Sequence, residues 1–351
     1  MKRNLLALLI ASALSVASPL ACAQLTADQA NALLQKAVDG DAQALSTLRQ
    51  DAAKENVNAQ LILGQMYLTG RGVQQDYAEA VKLFHNAARQ GDAKAQNNLG
   101  LMYTEGRGVP QDYAEALKWC RKAADQGNPN AQNNLGLMYS EGRGVLRDYV
   151  EAVKWFRAAA DQGDANAQNL LGRMYIAGRG VPKDYVEAVK WFRKASDLGN
   201  AKAQKNLGLM YADGRGAPKD YVEAAKWLRK AADQGEGEAQ IMLGIMYDKG
   251  RGVPQNYAEA VKWYRKPAEQ GDGKAQLQLG NMYLTGRGVP EDYVQAYKWL
   301  TLSKATSNPE NEIYNYASKG MEMLTKKMSQ AQIARAKQEA LTWAVSHARK
   351  Q

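Results

Sequence analysis

One glycine recurs through this chain at a fixed interval. Gly64, Gly100, Gly136, Gly172, Gly208, Gly244 and Gly280 stand 36 residues apart, each inside an Ala-Gln-x-x-Leu-Gly-x-Met-Tyr string or a close variant. A period of this length marks an array of small supersecondary units, and it governs the fold more strongly than any local propensity. The array covers about residues 58–304, with 24–57 before it and 305–351 after it.

One unit shows what repeats. Ala95, Leu99, Met102 and Tyr103 fall at i, i+4, i+7 and i+8, one face of a helix predicted over Ala93 to Glu105. Gly106 follows where a left-handed residue ends a helix. The short loop Arg107-Gly108-Val109-Pro110-Gln111 leads to Asp112, which together with Glu115 predicts a reciprocal capping box opening a second helix. The box recurs as Asp76/Glu79, Asp148/Glu151, Asp184/Glu187 and Asp220/Glu223, with Asn256/Glu259 and Asp292/Gln295 as variants. The second helix carries Tyr113, Ala116, Leu117, Trp119, Cys120, Ala123 and Ala124, an apolar face too broad for one neighbour. It needs burial on two sides, which one helix pair cannot supply and stacked pairs can. The expected architecture is therefore all-α, a solenoid of stacked antiparallel helix pairs. A tryptophan row (Trp119, Trp155, Trp191, Trp227, Trp263, Trp299), with Leu83 in the first unit, is expected to supply much of the core.

The ends depart from the period, as terminal units with a solvated face must. Thr26-x-x-Gln29 and Asp41 predict two opening helices, and Asn308-Pro309 and Ser329-x-x-Gln332 predict two closing ones. Pro267 replaces the alanine of the other units in the last turns of the second helix and predicts a kink.

At the N-terminus, Lys2 and Arg3 precede an apolar run from Leu5 to Val16, and Ala21-Cys22-Ala23 supplies small residues for cleavage. This reads as a signal peptide over 1–23 with a mature N-terminus at Gln24, hence a periplasmic or secreted protein. No run approaches the roughly 20 apolar residues of a transmembrane helix. Leu20 stands two residues before Cys22 where a lipid-attachment signal wants three, which argues against a lipid anchor there. Cleavage leaves Cys120 as the only cysteine, so packing and not a disulfide must hold the fold. The 46 basic and 36 acidic residues are spread along the array rather than gathered in a block, which with export argues against nucleic acid.

The string Ala-Gln-Asn-Asn-Leu-Gly-Leu-Met-Tyr-Thr-Glu-Gly-Arg-Gly-Val-Pro-Gln-Asp-Tyr-Ala-Glu-Ala, residues 95–116, resembles a Sel1-like repeat, a relative of the tetratricopeptide repeat. The resemblance covers seven units. It implies a right-handed superhelix with a concave face lined by the first helices, and a role as adaptor, scaffold or binding protein in signalling, envelope assembly or host contact. One branch of that family carries a disulfide in each repeat and is linked to penicillin-like compounds. With Cys120 alone, this chain departs from that branch.

The tetratricopeptide analogy places two rows of first-helix residues toward a groove. One runs Asn97, Asn133, Asn169, Lys205, Ile241, Leu277; the other runs Leu101, Leu137, Arg173, Leu209, Ile245, Asn281. Amides in such a row suit the backbone of an extended peptide and an apolar stretch suits an anchoring side chain. The competing reading has the asparagines solvated or bridging neighbouring units. Loop arginines at Arg71, Arg107, Arg143, Arg179, Arg215, Arg251 and Arg287 either form a basic stripe or satisfy helix C-termini, and the second role fits a residue demanded in every unit.

His85 reads as a surface residue, Cys120 as a small core residue, and His347 has no partners at metal-ligand spacing. No Ser-x-x-Lys, Lys-Thr-Gly or Gly-x-Ser-x-Gly motif appears, and the carboxylate pairs are explained by capping. The reading is a non-catalytic scaffold for a protein or peptide, without metal or cofactor. An envelope hydrolase or penicillin-binding module and an anionic-polymer or carbohydrate binder are the alternatives.

Overall fold

A computed structural model describes residues 25–348. The expected leader, Cys22 and Gln24 lie outside these residues. The described residues form helices and no strand, and the chain divides into two compact units, residues up to 131 with 143–145, and 132–142 with 146 onward.

The first unit holds α1 (Ala27–Val38), α2 (Ala42–Ala53), α3 (Val57–Thr69), α4 (Tyr77–Arg89), α5 (Ala93–Glu105) and α6 (Tyr113–Asp125). Thr26 and Gln29 close the expected reciprocal box on α1, and Asp41 caps α2 by accepting from the amides of Gln43 and Ala44. The pairs α3/α4 and α5/α6 are the first two repeats. Their core is continuous with the opening helices: Leu48, Ala52, Leu63, Met66 and Leu83 form one cluster, and Phe84, Leu99, Met102 and Trp119 another. This is the solenoid principle, in which each pair hides the apolar side of the one before.

The second unit takes in most of α7 (Pro129–Glu141), then α8 (Tyr149–Asp161), α9 (Ala165–Ala177), α10 (Tyr185–Asp197), α11 (Ala201–Asp213), α12 (Tyr221–Asp233), α13 (Gly237–Lys249), α14 (Tyr257–Glu269), α15 (Gly273–Thr285) and α16 (Tyr293–Thr306). Two closing helices follow, α17 (Glu312–Thr325) and α18 (Gln330–Ala348). Ser329 and Gln332 form the expected box on α18. Asn308-Pro309 does not open α17. Those residues form a turn, in which the Asn311 amide donates to the Asn308 carbonyl, and Asn311 is the cap. Pro267 sits two residues before the end of α14, whose 13 residues match the other second helices, so the proline leaves the helix uninterrupted.

The repeated glycine of the first helix is there for contact. A Cβ on Gly172 would lie 2.7 Å from the Phe192 ring, so the missing side chain lets the two helices of a pair meet. Around that contact the interior is close-packed, with Leu171, Leu207, Phe156 and Phe192 at 1% exposure or less.

Two expectations about the connection need correction. Asp112 caps α6 by accepting from the amides of Ala114 and Glu115, but Glu115 does not reach back. The Asp112 amide instead donates to the Tyr103 carbonyl at 2.9 Å, and Glu115 pairs with Lys118 at 3.1 Å. The same amide-to-tyrosine bond recurs at Asp76, Asp148, Asp184, Asp220, Asn256 and Asp292. The carbonyl at the end of the first helix thus competes successfully for the donor that a capping box would use.

The loop arginines are structural by a different means from the one expected. Arg107 stacks over the ring of Tyr77 at 5.8 Å, and Arg179 over Tyr149 at 5.2 Å, so each loop reaches back to the tyrosine opening the second helix of the preceding repeat. The glycine beside the arginine makes this approach feasible. Gly180 has a φ of 70°, and a Cβ there would fall 2.0 Å from the Tyr149 carbonyl oxygen.

Candidate functional site

The groove rows predicted from sequence part company. Asn97 and Asn169 are buried, at 6% and 5% exposure, as is Ile241 at 5%. Asn169 accepts a hydrogen bond at 3.0 Å from the Nδ2 of Asn206, in the next repeat. Asn133 has a buried Oδ1 with no hydrogen-bond partner, because Leu170 occupies the place that Asn206 holds relative to Asn169. Lys205 is held by Glu238 of the next repeat at 2.7 Å and by Glu236, the cap of that repeat's first helix, at 3.7 Å. This row is therefore turned into the packing between repeats.

The second row is more open. Leu101, Leu137, Leu209 and Ile245 are half-buried, and Arg173 is exposed and enters no ion pair among the described residues. Leu137 and Arg173 come together in a cavity of about 500 Å³ between α7 and α9, with Phe156 of α8 in its lining. Leu170, Met174 and Ile176 give it apolar walls, and Ser140, Glu141 and Arg179 give it polar ones.

The arrangement repeats two units on. A cavity of about 290 Å³ between α11 and α13 is lined by Ala212, Asp213, Tyr221, Leu228, Met242, Ile245 and Arg251, the residues 72 positions after Ser140, Glu141, Tyr149, Phe156, Leu170, Arg173 and Arg179. The geometry of the repeat thus makes the hollow, and the local sequence sets its polarity. Ile245 stands in the second where Arg173 stands in the first, while Arg215 and Lys219 add cations to the second. Ile241 instead borders a third cavity, of about 460 Å³, with Glu238, Lys274 and Asn311. A fourth, of about 620 Å³ beneath the last helix, takes in Trp299 and Trp343 but no residue of either predicted row.

A model of the Sel1 repeat matches seven consecutive segments, residues 57–92, 93–128, 129–164, 165–200, 201–236, 237–272 and 273–305. The chain belongs to the Sel1 repeat family. Among solved structures, a Sel1 repeat protein from Oxalobacter formigenes is 36% identical over 84% of this chain and 86% of its own, with a TM-score of 0.64. A protective antigen present in uropathogenic Escherichia coli strains, displaying an SLR fold, is 28% identical over 93% of both chains, with a TM-score of 0.53. No curated protein matches the chain.

What sequence reasoning missed in this Sel1 protein is a ladder of glutamines. The Gln of the Ala-Gln string is buried, and Gln60, Gln96, Gln168, Gln204, Gln240 and Gln276 each donate to the last turn of the preceding helix, as Gln96 does to the Ala88 carbonyl at 3.1 Å. Its Oε1 accepts from the glutamine ending its own second helix: Gln126 to Gln96, Gln162 to Gln132 and Gln234 to Gln204, all at 2.8 Å. The recurrence of both glutamines at a fixed separation was the available signal.

The titratable side chains of the core are packing groups. Burial pushes the Cys120 thiol up to about 12, and burial with the nearby Asp248 raises the Tyr264 hydroxyl well above its usual range. His85 is not a free surface residue: its ring meets that of Trp119 edge-on at 5.8 Å. His347 stacks on Trp343 at 4.6 Å. Among the described residues no group of three or more His, Cys, Asp and Glu side chains is arranged to hold a metal ion, and no helix is long and apolar enough to cross a membrane.

Proposed function

We propose that this Sel1 repeat protein is a non-catalytic adaptor of the cell envelope that holds an extended protein segment against the first helices of its repeats, with Leu137, Arg173, Leu209 and Ile245 in contact. The observation that carries the reading is the recurrence of one hollow at two places in the array, lined by both apolar and polar side chains. Adjacent first helices pack about 8–10 Å apart, so hollows two repeats apart are separated by about 16–20 Å, the span of some five or six extended residues. A segment with apolar side chains at that interval fills both, and Arg173 in the first, with no ion pair among the described residues, offers its guanidinium to a carboxylate or backbone carbonyl. Fold alone does not assign such a role, so the support lies in these residues.

The test is site-specific photo-crosslinking in the native envelope. A photoreactive residue at Arg173 or Ile245 is expected to capture one defined protein, and one at Lys154, on the exposed side of α8, is not. Arg173→Glu is expected to abolish capture from Ile245. Equal capture from all three positions, or none from any, rejects the reading.

A further inference from the structure

Three consecutive repeats of the second unit differ from their neighbours in the same two places. Just before the second helix, repeats one, two and six carry Gln75, Gln111 and Gln255, each donating its Nε2 to a carbonyl at the end of the first helix, those of Leu68, Thr104 and Asp248, at 2.7–2.8 Å. Repeats three, four and five carry Arg147, Lys183 and Lys219 there. The backbone is the same: a Cβ on Gly178 would meet the Lys183 Cβ at 3.3 Å, as one on Gly106 would meet the Gln111 Cβ at 3.3 Å. The capping bond is given up and the charge moves onto a ring. Arg147 lies over Tyr149 at 5.6 Å, Lys183 over Tyr185 at 4.9 Å and Lys219 over Tyr221 at 4.9 Å.

The second difference lies three residues on. Ala78, Ala114 and Ala258 of repeats one, two and six become Val150, Val186 and Val222, which are 67%, 54% and 66% exposed, whereas Val294 of repeat seven is 9% exposed; Leu146 is 89% exposed. Exposed valine stabilises neither helix nor core. None of the three new cations enters an ion pair among the described residues, whereas Glu151, Glu187 and Glu223 of the same helices are taken by Lys154, Lys190 and Lys226. The loop arginines add a second cation to each ring, with Arg179 over Tyr149, Arg215 over Tyr185 and Arg251 over Tyr221. The result is an edge on which a cation held over a tyrosine ring, with no carboxylate partner among the described residues, recurs together with an apolar side chain at about 10 Å, the spacing of packed helices.

We propose that this edge docks an acidic protein segment that carries an apolar side chain beside each carboxylate, at about three extended residues per repeat. Charge complementarity names the acid, and the valines exclude a purely ionic polymer as the matching partner, since such a polymer gains nothing from them. The three sacrificed capping bonds mark the edge as a place where stability is exchanged for exposure. The edge borders the hollows, since Tyr149 and Arg179 line the first and Lys219, Tyr221 and Arg251 the second, but Arg147, Val150, Lys183, Val186 and Val222 lie outside both, so a variant confined to the valines tests the edge apart from the groove reading.

The experiment uses full mature chain and a fluorescein-labelled peptide of repeating Leu-Glu-Ser, followed by fluorescence anisotropy. Poly-L-glutamate and phosphatidylglycerol vesicles serve as comparison probes. The peptide is expected to bind, more weakly as salt rises. Two triple variants install the residues of repeats one, two and six: R147Q/K183Q/K219Q and V150A/V186A/V222A. Each is expected to weaken peptide binding about tenfold. The glutamine variant is also expected to unfold at higher urea than wild type, because it regains the capping bonds, so lost binding cannot be ascribed to lost folding. The proposal is overturned if the peptide does not bind wild type, if either variant binds it unchanged, or if the glutamine variant is no more stable. Binding to poly-L-glutamate as tight as to the peptide overturns the role of the valines, and binding to the vesicles alone makes the edge a membrane surface instead.

Discussion

Leu198 is one of two breaks in the glutamine ladder, the other being the unpartnered Oε1 of Gln240, and repairing it is a sharp test of how the repeats are joined. It ends α10 where Gln126, Gln162 and Gln234 end α6, α8 and α12, and it is 59% exposed. Its acceptor is in place: the Gln168 side chain is 4% exposed, donates to the Ala160 carbonyl at 3.0 Å, and keeps an Oε1 with no hydrogen-bond partner. The backbone is ready as well, with φ −83° and ψ 5° at Leu198 against −79° and −1° at Gln234. Leu198→Gln should therefore form the bond seen from Gln234 to Gln204 at 2.8 Å without strain. A net intramolecular hydrogen bond contributes about 0.5–1.5 kcal/mol, and satisfying a buried acceptor belongs in the upper half of that range, so the gain is set at about 1 kcal/mol. Urea unfolding followed by far-ultraviolet circular dichroism reads the global effect. Amide hydrogen exchange in α9 and α10 reads the local one, with protection expected to rise about fivefold. Leu198→Glu lacks the donor and is expected to gain nothing. In a double-mutant cycle with Gln168→Ala the coupling should recover the same ~1 kcal/mol. A Leu198→Gln protein no more stable than wild type, or a gain that persists without Gln168, would refute the reasoning.

Other perturbations separate the remaining forces. Gly180→Ala is expected to cost at least about 2 kcal/mol more than Gly163→Ala, because both positions have positive φ but only the first would drive a Cβ into the Tyr149 carbonyl; comparing their urea midpoints checks this. The Cys120 thiol, raised by burial, keeps its proton in the folded chain long after the unfolded chain has lost it. Its contribution is thus fully present below about pH 8.5 and is lost as pH climbs toward about 12. Cys120→Ala is expected to flatten that part of the stability curve, and a thiol reagent is expected to modify Cys120 only as fast as the chain opens. Pro267→Ala adds a backbone donor to an unbroken helix and is expected to stabilise it by about 1–3 kcal/mol, read from the urea midpoint; a loss would show that the ring packs better than the hydrogen bond it prevents.

The sequence by itself determined what depends on near neighbours along the chain. The bounds of the helix predicted over Ala93 to Glu105, the left-handed Gly106 and the Asp112 cap follow from side chains and amides a few residues apart, and all are found as read. The period determined the rest of the architecture, because one two-sided apolar helix repeated seven times has few places to bury itself. Only the tertiary structure decided which polar groups meet. Gln126 and Gln96 are 30 residues apart, Asn206 and Asn169 are 37 apart, and Arg107 must cross to the previous repeat to find Tyr77. Those distances in sequence carry no local signal, and a side chain that faces a groove differs from one that faces the next repeat by about one turn's fraction of rotation. That is why Asn169 and Arg173 looked alike as candidates, while packing sealed the first against Asn206 and left the second open.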